Sequence, residues 1–173
     1  MRRTSRYVER LCDAASRKWA KQGSSANAIA MFLGQYNHSI DDKGRLAVPM
    51  KFREALAYGA VVTRGLDSSL FLLPLEEWGK LATSLANLPL GQANARAFAR
   101  LMLAGAMDVV LDKQGRCVVP EYLRQYAGLQ KDVVIVGVNT RLEIWDAEKW
   151  ATYVAASEKD AESIAEQLGS VGL

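Results

Sequence analysis

The sequence predicts an α+β fold, namely a pseudo-symmetric β-barrel built from two copies of one unit with helices on the outside. The first observation is an internal duplication, because the stretch DDKGRLAVP at 41–49 recurs as DKQGRCVVP at 112–120, 71 positions later. The second is that the similarity continues at an offset of 72, which aligns 61–78 with 133–150. The third is strand length, since strands of four to six residues cannot close a core within one copy. We therefore expect the two copies to bury their apolar strand faces against each other.

Each copy has the same predicted order of strand, turn, strand, short helix, hairpin and helix. Pro49 and Pro120 end the second strand of each copy, because proline cannot donate a hydrogen bond to a ladder. For the first copy, we expect strands at 32–40, 45–48, 60–64 and 69–73, and helices at 50–58, 74–86 and 92–105. For the second copy, we expect strands at 107–111, 116–119, 133–138 and 141–145, a helix at 120–127, and one closing helix that Asp146 caps and that runs to about 168.

The predicted organisation has three parts: a basic appendage at 1–30, a first unit with two linking helices at 31–105, and a second unit at 106–173. The appendage holds seven Lys or Arg and two acids, which gives it a net charge of +5. Because the net charge of the whole chain is +3, the rest of the chain carries −2. Three interpretations of the appendage stay open. It is a disordered basic arm that adds phosphate contacts, a solvated tail without a role, or a segment that is not translated, since Met31 resembles a natural start.

The composition is typical of a soluble globular protein. The longest apolar runs, such as 133–138, are too short to span a bilayer, and the N-terminus has no apolar core of signal-peptide length. Cys12 and Cys117 are isolated thiols without paired spacing, which favours a reducing cytoplasm. Because the body is slightly acidic, it must bind any polyanion through a local cluster of cations or through many such clusters gathered in an oligomer.

Two arginines that follow tight turns, Arg45 and Arg116, are the strongest candidates for a binding function. A guanidinium at the tip of a hairpin can bind phosphate or form two hydrogen bonds with a guanine edge. The alternative is that each arginine pairs with its own Asp and only stabilises the turn, and both roles can coexist. The predicted DNA contacts are Lys43, Arg45, Lys51, Arg53, Lys113 and Arg116, with Asp41 and Asp112 orienting the arginines and Gly44 and Gly115 forming the turns.

The two turns differ in their surroundings. Two cations, Lys51 and Arg53, follow the first turn, whereas the second copy has Glu121 and Asp108 at positions where the first copy is uncharged. We therefore expect the first turn to bind phosphate better than the second.

No residue pattern predicts catalysis, a cofactor or a metal. His38 is the only histidine and has no acid or cysteine at ligand spacing, and Cys117 is interpreted as a small core residue. The neighbouring carboxylates Asp41 and Asp42 have no nucleophile or base beside them, and no P-loop, GxSxG or GxGxxG motif occurs. We expect a protein that is not an enzyme, with no cofactor and no small-molecule substrate.

The two Asp-x-x-x-Arg motifs with their prolines, the opening Met31-Phe32 with Gly34, and the run 133–150 resemble the MraZ family. The resemblance covers about residues 31–155 and excludes the appendage. One departure is Leu33, where many relatives carry a basic residue.

The resemblance implies two tandem SpoVT-AbrB units, which are relatives of the swapped-hairpin protein AbrB. The family's motif corresponds here to Asp41 with Arg45 and to Asp112 with Arg116. The resemblance also implies a ring-shaped homo-oligomer that regulates transcription. Such rings bind short direct repeats upstream of the bacterial division and cell-wall gene cluster, which includes the gene of the regulator.

The predicted function is therefore sequence-specific regulation of transcription by a ring that binds double-stranded DNA with repeated boxes, in the cytoplasm and at the nucleoid, without a membrane partner. A ring that engages several boxes at once gains roughly 10²–10⁴ in affinity without new contacts. The alternative is a protein-binding scaffold whose ring regulates a partner enzyme. Salt separates the two, because phosphate binding weakens steeply with salt and an apolar interface does not. A third interpretation, an enzyme on a barrel, lacks catalytic residues.

Overall fold

The structure is a computed structural model that describes residues 31–169, so the expectations for 1–30 and 170–173 lie outside the described residues. The strands are β1 Phe32–Ser39, β2 Arg45–Ala47, β3 Ala60–Arg64, β4 Leu70–Pro74, β5 Met107–Val109, β6 Arg116–Val118, β7 Asp132–Asn139 and β8 Arg141–Asp146. The helices are α1 Leu75–Ala86, α2 Ala93–Leu103, α3 Glu121–Ala127, α4 Ala147–Lys159 and α5 Ala161–Gly169, with a 3₁₀ helix at Met50–Phe52.

The predicted α+β class is confirmed by an antiparallel sheet with helices packed on it. Six strands pair in the order β1-β7-β8-β4-β3-β5, and β2 and β6 form a separate two-stranded ribbon. If each strand is replaced by its equivalent in the other copy, the result is the same strand order, read from the other edge of the sheet. The first strand of each copy therefore pairs with the hairpin of the other copy, as strands too short for a core of their own require.

The hydrogen bonds among the described strands do not close into one continuous barrel, because β1 and β5 are edges of the sheet. The ribbon connects these two edges through isolated contacts. A single bridge between Ile40 and Leu46 joins the end of β1 to β2, and the backbone N–H of Asp112 donates to the carbonyl of Arg116 at 2.8 Å between β5 and β6. Closure of the barrel by full ladders stays a prediction.

The inner face of the sheet forms the main apolar core together with the ribbon. Leu70 lies opposite Ile144 and Leu72 opposite Leu142 at the centre of the sheet, and all four side chains are completely buried. Burying a side chain of this size contributes roughly 1.5–3 kcal/mol. The same core includes Leu46, Val48, Cys117, Val119 and Leu123.

The outer face of the β3–β4 hairpin is covered by α1 and α2. Phe71 and Leu73 of β4 pack with Leu85 of α1 and Met102 of α2 in a second core. The hydroxyl of Thr63 donates to the carbonyl of Met102 at 2.6 Å and fixes α2 on the sheet. The apolar faces of these helices therefore contribute to a core.

The predicted helix at 50–58 is wrong in type. Only Met50–Phe52 forms a helix, of the 3₁₀ kind, and the following turns also use bonds to the third preceding residue, such as the N–H of Leu56 to the carbonyl of Arg53 at 3.2 Å. Phe52 and Leu56 are nevertheless both buried. A segment this short gains little from helix propensity, so the packing of its apolar side chains determines its path.

The closing helix is divided in two, whereas the sequence predicts one helix. Its start is confirmed, because Asp146 caps α4 by accepting hydrogen bonds from the backbone N–H groups of Glu148 and Lys149 at 3.1 and 3.4 Å. The break lies at Asp160, between α4 and α5. No residue of α4 or α5 is buried, and Asp is a poor helix former, so little opposes a break at this position.

Gly137 permits the close approach of β1 to β7. It lies opposite Gly34, and a Cβ added at Gly137 would stand 2.5 Å from the backbone nitrogen of Leu33 and from the carbonyl carbon of Phe32. A glycine within a strand often marks such a close backbone contact. The register of this strand pair therefore depends on the missing side chain.

We expect Gly137→Ala to lower the free energy of unfolding by about 1–3 kcal/mol, because the methyl group would push against a backbone that cannot rotate away. Urea denaturation at one protein concentration measures the change. Gly79→Ala is the matched control, because Gly79 is exposed in α1 with no atom within 4 Å of an added Cβ. It should raise stability by about 0.5–1 kcal/mol. Equal stability of Gly137→Ala and the unchanged protein would contradict the close approach.

Candidate nucleic-acid interface

The two arginines that the sequence singles out lie on one face of the two-stranded ribbon. Arg45 is opposite Val118, Leu46 opposite Cys117, and Ala47 opposite Arg116. Because neighbouring residues of a strand point to opposite faces, the buried pair in the middle leaves both arginines on the outer face. As diagonal neighbours, their Cα atoms are roughly 7–8 Å apart. The duplication thus places two cations, one from each copy, side by side.

The first turn is organised around the carboxylate of Asp41. Its Oδ1 accepts hydrogen bonds from the backbone N–H groups of Lys43 at 3.0 Å and Arg45 at 2.9 Å. Its Oδ2 accepts a hydrogen bond from the side-chain Nε of Arg45 at 2.6 Å. Gly44 closes the turn with φ of +74°, a backbone conformation that favours glycine.

The second turn repeats this arrangement. Oδ1 of Asp112 accepts hydrogen bonds from the backbone N–H groups of Gln114 at 2.8 Å and Arg116 at 3.0 Å. Oδ2 accepts hydrogen bonds from Nε and Nη2 of Arg116 at 2.9 and 2.8 Å. Gly115 has φ of +75°. The two turns are therefore nearly the same structure, as the repeated sequence predicts.

These hydrogen bonds keep both carboxylates ionised. The backbone N–H of Arg116, followed by its side chain, lowers the pKa of Asp112 to about 2. The backbone N–H of Arg45 is likewise the largest cause of a lowered pKa at Asp41. Both arginine side chains remain partly accessible, with 34% of Arg45 and 29% of Arg116 exposed. Pairing with the neighbouring Asp and exposure to a partner thus occur together.

The two arginines differ in how many donors the protein uses. Arg45 gives only Nε to Asp41, so within residues 31–169 neither of its Nη nitrogens has a hydrogen-bond partner. Arg116 gives both Nε and Nη2 to Asp112. Arg45 therefore keeps the larger set of free donors for a ligand.

Lys43 and Lys113 extend the cationic surface from the tips of the turns. Both residues are exposed, and their ammonium groups make no hydrogen bond or ion pair inside the described part of the chain. An uncommitted ammonium at a turn tip suits contact with phosphate. We call Lys43, Arg45, Lys113 and Arg116 together the ribbon cations.

The flanking cations of the first copy are engaged by the protein. Nζ of Lys51 donates to the carbonyl of Leu33 at 2.8 Å and lies 4.7 Å from the ring centroids of Tyr36 and Phe52. Nε of Arg53 donates to the carbonyl of Val48 at 2.8 Å, and the residue is partly buried. The larger positive charge that the sequence assigns to the first turn is therefore partly used within the fold.

Arg124 is a residue of this region that the sequence analysis did not select. It is equivalent to Arg53 in the second copy, and the structure places it beside the first turn, next to Gly44. The signal was available, because the offset of 71 that relates the turns also relates these two arginines.

The remaining titratable candidates have structural surroundings. Burial, and then the charge of Arg53, lowers the pKa of His38. Burial raises the pKa of the Cys117 thiol to about 11, in agreement with its predicted place in the core. No group of three His, Cys, Asp or Glu residues in 31–169 could hold a metal ion. No helix in the same range is long and apolar enough to cross a bilayer.

Comparison with known proteins identifies the family. A family model described as "MraZ protein, putative antitoxin-like" matches twice, over residues 31–101 and 102–169, and each match contains one of the two turns. The Transcriptional regulator MraZ of Acetivibrio thermocellus is 50% identical over 143 residues, which are 83% of this chain and 100% of that protein. The protein of the same name from Natranaerobius thermophilus is 51% identical over 138 residues, which are 80% of this chain and 96% of that protein. The chain therefore belongs to the MraZ family.

Proposed function

We propose that the protein is a sequence-specific DNA-binding transcriptional regulator that contacts DNA through the ribbon cations. The observation that supports this most directly is the exposed ribbon face, which carries Arg45 and Arg116 side by side with fixed side chains. The relatives from Acetivibrio thermocellus and Syntrophomonas wolfei, both named Transcriptional regulator MraZ, support the same function.

In this proposal, three of the ribbon cations have roles that their hydrogen bonding supports. Asp41 holds Arg45 at Nε and leaves its two Nη groups to form paired hydrogen bonds with a phosphate or with the O6 and N7 atoms of guanine. Lys43 and Lys113 neutralise neighbouring phosphates at the two turn tips. The contacts from Lys51 and Arg53 are less favourable, because both side chains already bind groups of the protein.

Binding by a single chain is weak in this proposal, because the body carries a net charge of −2 outside residues 1–30. We therefore include a ring-shaped homo-oligomer that presents the ribbon repeatedly to direct repeats in DNA, so that several ribbons bind at once. An unpaired apolar stripe on α5 supports self-association. Its members in the described chain are Ala161, Ile164, Ala165 and Leu168, and all of them are exposed.

The proposed target is DNA upstream of the division and cell-wall gene cluster, including the protein's own promoter. Footprinting of that DNA tests the target, because protection should recur at the spacing of the direct repeats. A protein-binding scaffold that regulates a partner enzyme is the competing function. It predicts no protected DNA and an association that resists salt.

Arg45→Ala should abolish specific DNA binding, whereas Arg116→Ala should weaken it less, because Arg45 has more uncommitted donors. A lost bidentate contact costs about 1–3 kcal/mol for each ribbon engaged. Gel-shift titration with the repeats measures both variants. Lys159→Ala, which removes an exposed cation of α4, is the control and should leave affinity unchanged. Equal losses for the two arginines would contradict the order, and no loss from either would exclude the ribbon as the DNA contact.

The salt dependence of DNA binding should show whether the two lysines contact phosphate. In Lys43→Ala/Lys113→Ala, the slope of log K against log salt concentration should fall by about 1.8 for each ribbon engaged, because each lost phosphate contact removes about 0.9. Binding curves at four salt concentrations give the slope. An unchanged slope, with unchanged affinity, would support the scaffold instead.

Oligomeric state and DNA affinity should change together. Ile164→Glu/Leu168→Glu introduces two charges on the apolar stripe of α5 and should reduce both the size of the assembly and the affinity for repeated boxes. Ser163→Glu/Gln167→Glu adds the same charge to the same helix away from the stripe and serves as the control. Light scattering measures the size of the assembly, and gel shifts on the same samples measure the affinity for DNA. A dissociated variant that binds as tightly as the ring would refute the coupling.

A further inference from the structure

Two arginines outside the turns, Arg53 and Arg124, each lie against the turn of the opposite repeat. The guanidinium of Arg53 fills the space that a Cβ would take at Gly115. Nε of Arg124 lies 3.2 Å from the position of a Cβ added at Gly44. Arg53 therefore occupies the space that a side chain at position 115 would need. At position 44 an added Cβ would stand nearest the carbonyl oxygen of Val119, at 2.9 Å, with Arg124 as its next neighbour.

Backbone hydrogen bonds cross between the repeats at the same two turns. The N–H of Val119 donates to the carbonyl of Gly44 at 2.8 Å, and the N–H of Val48 donates to the carbonyl of Gly115 at 2.9 Å. Arg53 extends the second bond, because its Nε donates to the carbonyl of Val48 at 2.8 Å. Each turn is thus hydrogen-bonded to a valine of the opposite repeat and lies beside an arginine of that repeat.

Within the described chain, the Nε of Arg124 makes no hydrogen bond that would stabilise the fold. This nitrogen is buried and has no hydrogen-bond partner within residues 31–169. A buried donor without a partner is destabilising. Hydrogen bonding at Nε therefore does not explain why Arg124 is buried at this position. Its nearest functional neighbour among the described residues is the turn that carries Arg45.

We propose that Arg53 and Arg124 are positioning residues that act across the repeats. Arg124 holds the turn that presents Arg45, and Arg53 holds the turn that presents Arg116. The inference rests on the proposed function, since it gives the turns a ligand. It differs from the expectation for Arg53 in the sequence, where this side chain contacts phosphate directly.

DNA binding in a double-mutant cycle separates positioning from direct contact. Arg124→Met keeps much of the aliphatic volume and should lower affinity about tenfold, a coupling typical of residues in one network. In the Arg45→Lys background, which lacks the guanidinium but keeps a charge and measurable binding, the same change should have little further effect, because the group that Arg124 positions is already absent. In the Arg116→Ala background, it should again cost about tenfold. A direct phosphate contact would instead weaken binding in both backgrounds and lower the salt slope by a further 0.9 or so.

A measurement without DNA keeps this inference separate from the proposed function. Hydrogen–deuterium exchange should become faster at 41–46 than at 112–117 in Arg124→Met, and the reverse should hold in Arg53→Met. Arg124→Lys retains the charge and is the milder variant if Arg124→Met does not fold. It should show the same pattern at smaller size.

Exchange that increases mainly in the mutated residue's own repeat, or equally in both, would overturn the inference. If no variant and not even the unchanged protein binds the repeats, the proposed function fails, while the exchange pattern still decides whether the arginines act across the repeats.

Discussion

The pairing between the two repeats is the constraint on which the rest of the structure depends. The inner strand faces of one copy cannot form a core by themselves, and the pairing exchanges strands between the copies: β1 pairs with β7, β5 with β3, and β2 with β6. The ribbon follows from this exchange, because its two strands come from different copies. The outer face of the ribbon can therefore carry two arginines that are 71 positions apart in the chain. The candidate site is a consequence of the shared core and not an addition to it.

The turns show how a charged side chain can serve structure and recognition together. Each Asp uses one oxygen for two backbone N–H groups and the other for the arginine of its own turn. Such a carboxylate fixes the rotamer of the guanidinium, so less conformational entropy is lost when a ligand binds. The ion pair is more than a third exposed at the carboxylate, and surface pairs of this kind add little stability. The ion pair therefore affects the orientation of the arginine side chain more than the stability of the fold.

Much of this architecture is readable from the sequence, because repeated residues make repeated structure. The turns, the hairpins, the Asp146 cap and the family follow from local motifs and from the offset between copies. Other features depend on packing that no local pattern contains. The 3₁₀ path after Pro49 is set by the burial of Phe52 and Leu56, and the break at Asp160 reflects helices without a buried face. The surroundings of Arg53 depend on the opposite repeat, which only the folded chain brings into contact.

The pairing of β1 with β7 has a consequence for synthesis of the protein. Paired residues are 93 positions apart at Ser39 and Asp132 and 107 apart at Phe32 and Asn139. At a translation rate of roughly 5–20 residues per second, β1 leaves the ribosome about 5–20 s before its partner exists. During that interval the nascent chain holds an unpaired strand with free backbone groups, which is the usual target of holding chaperones and of premature association between neighbouring chains.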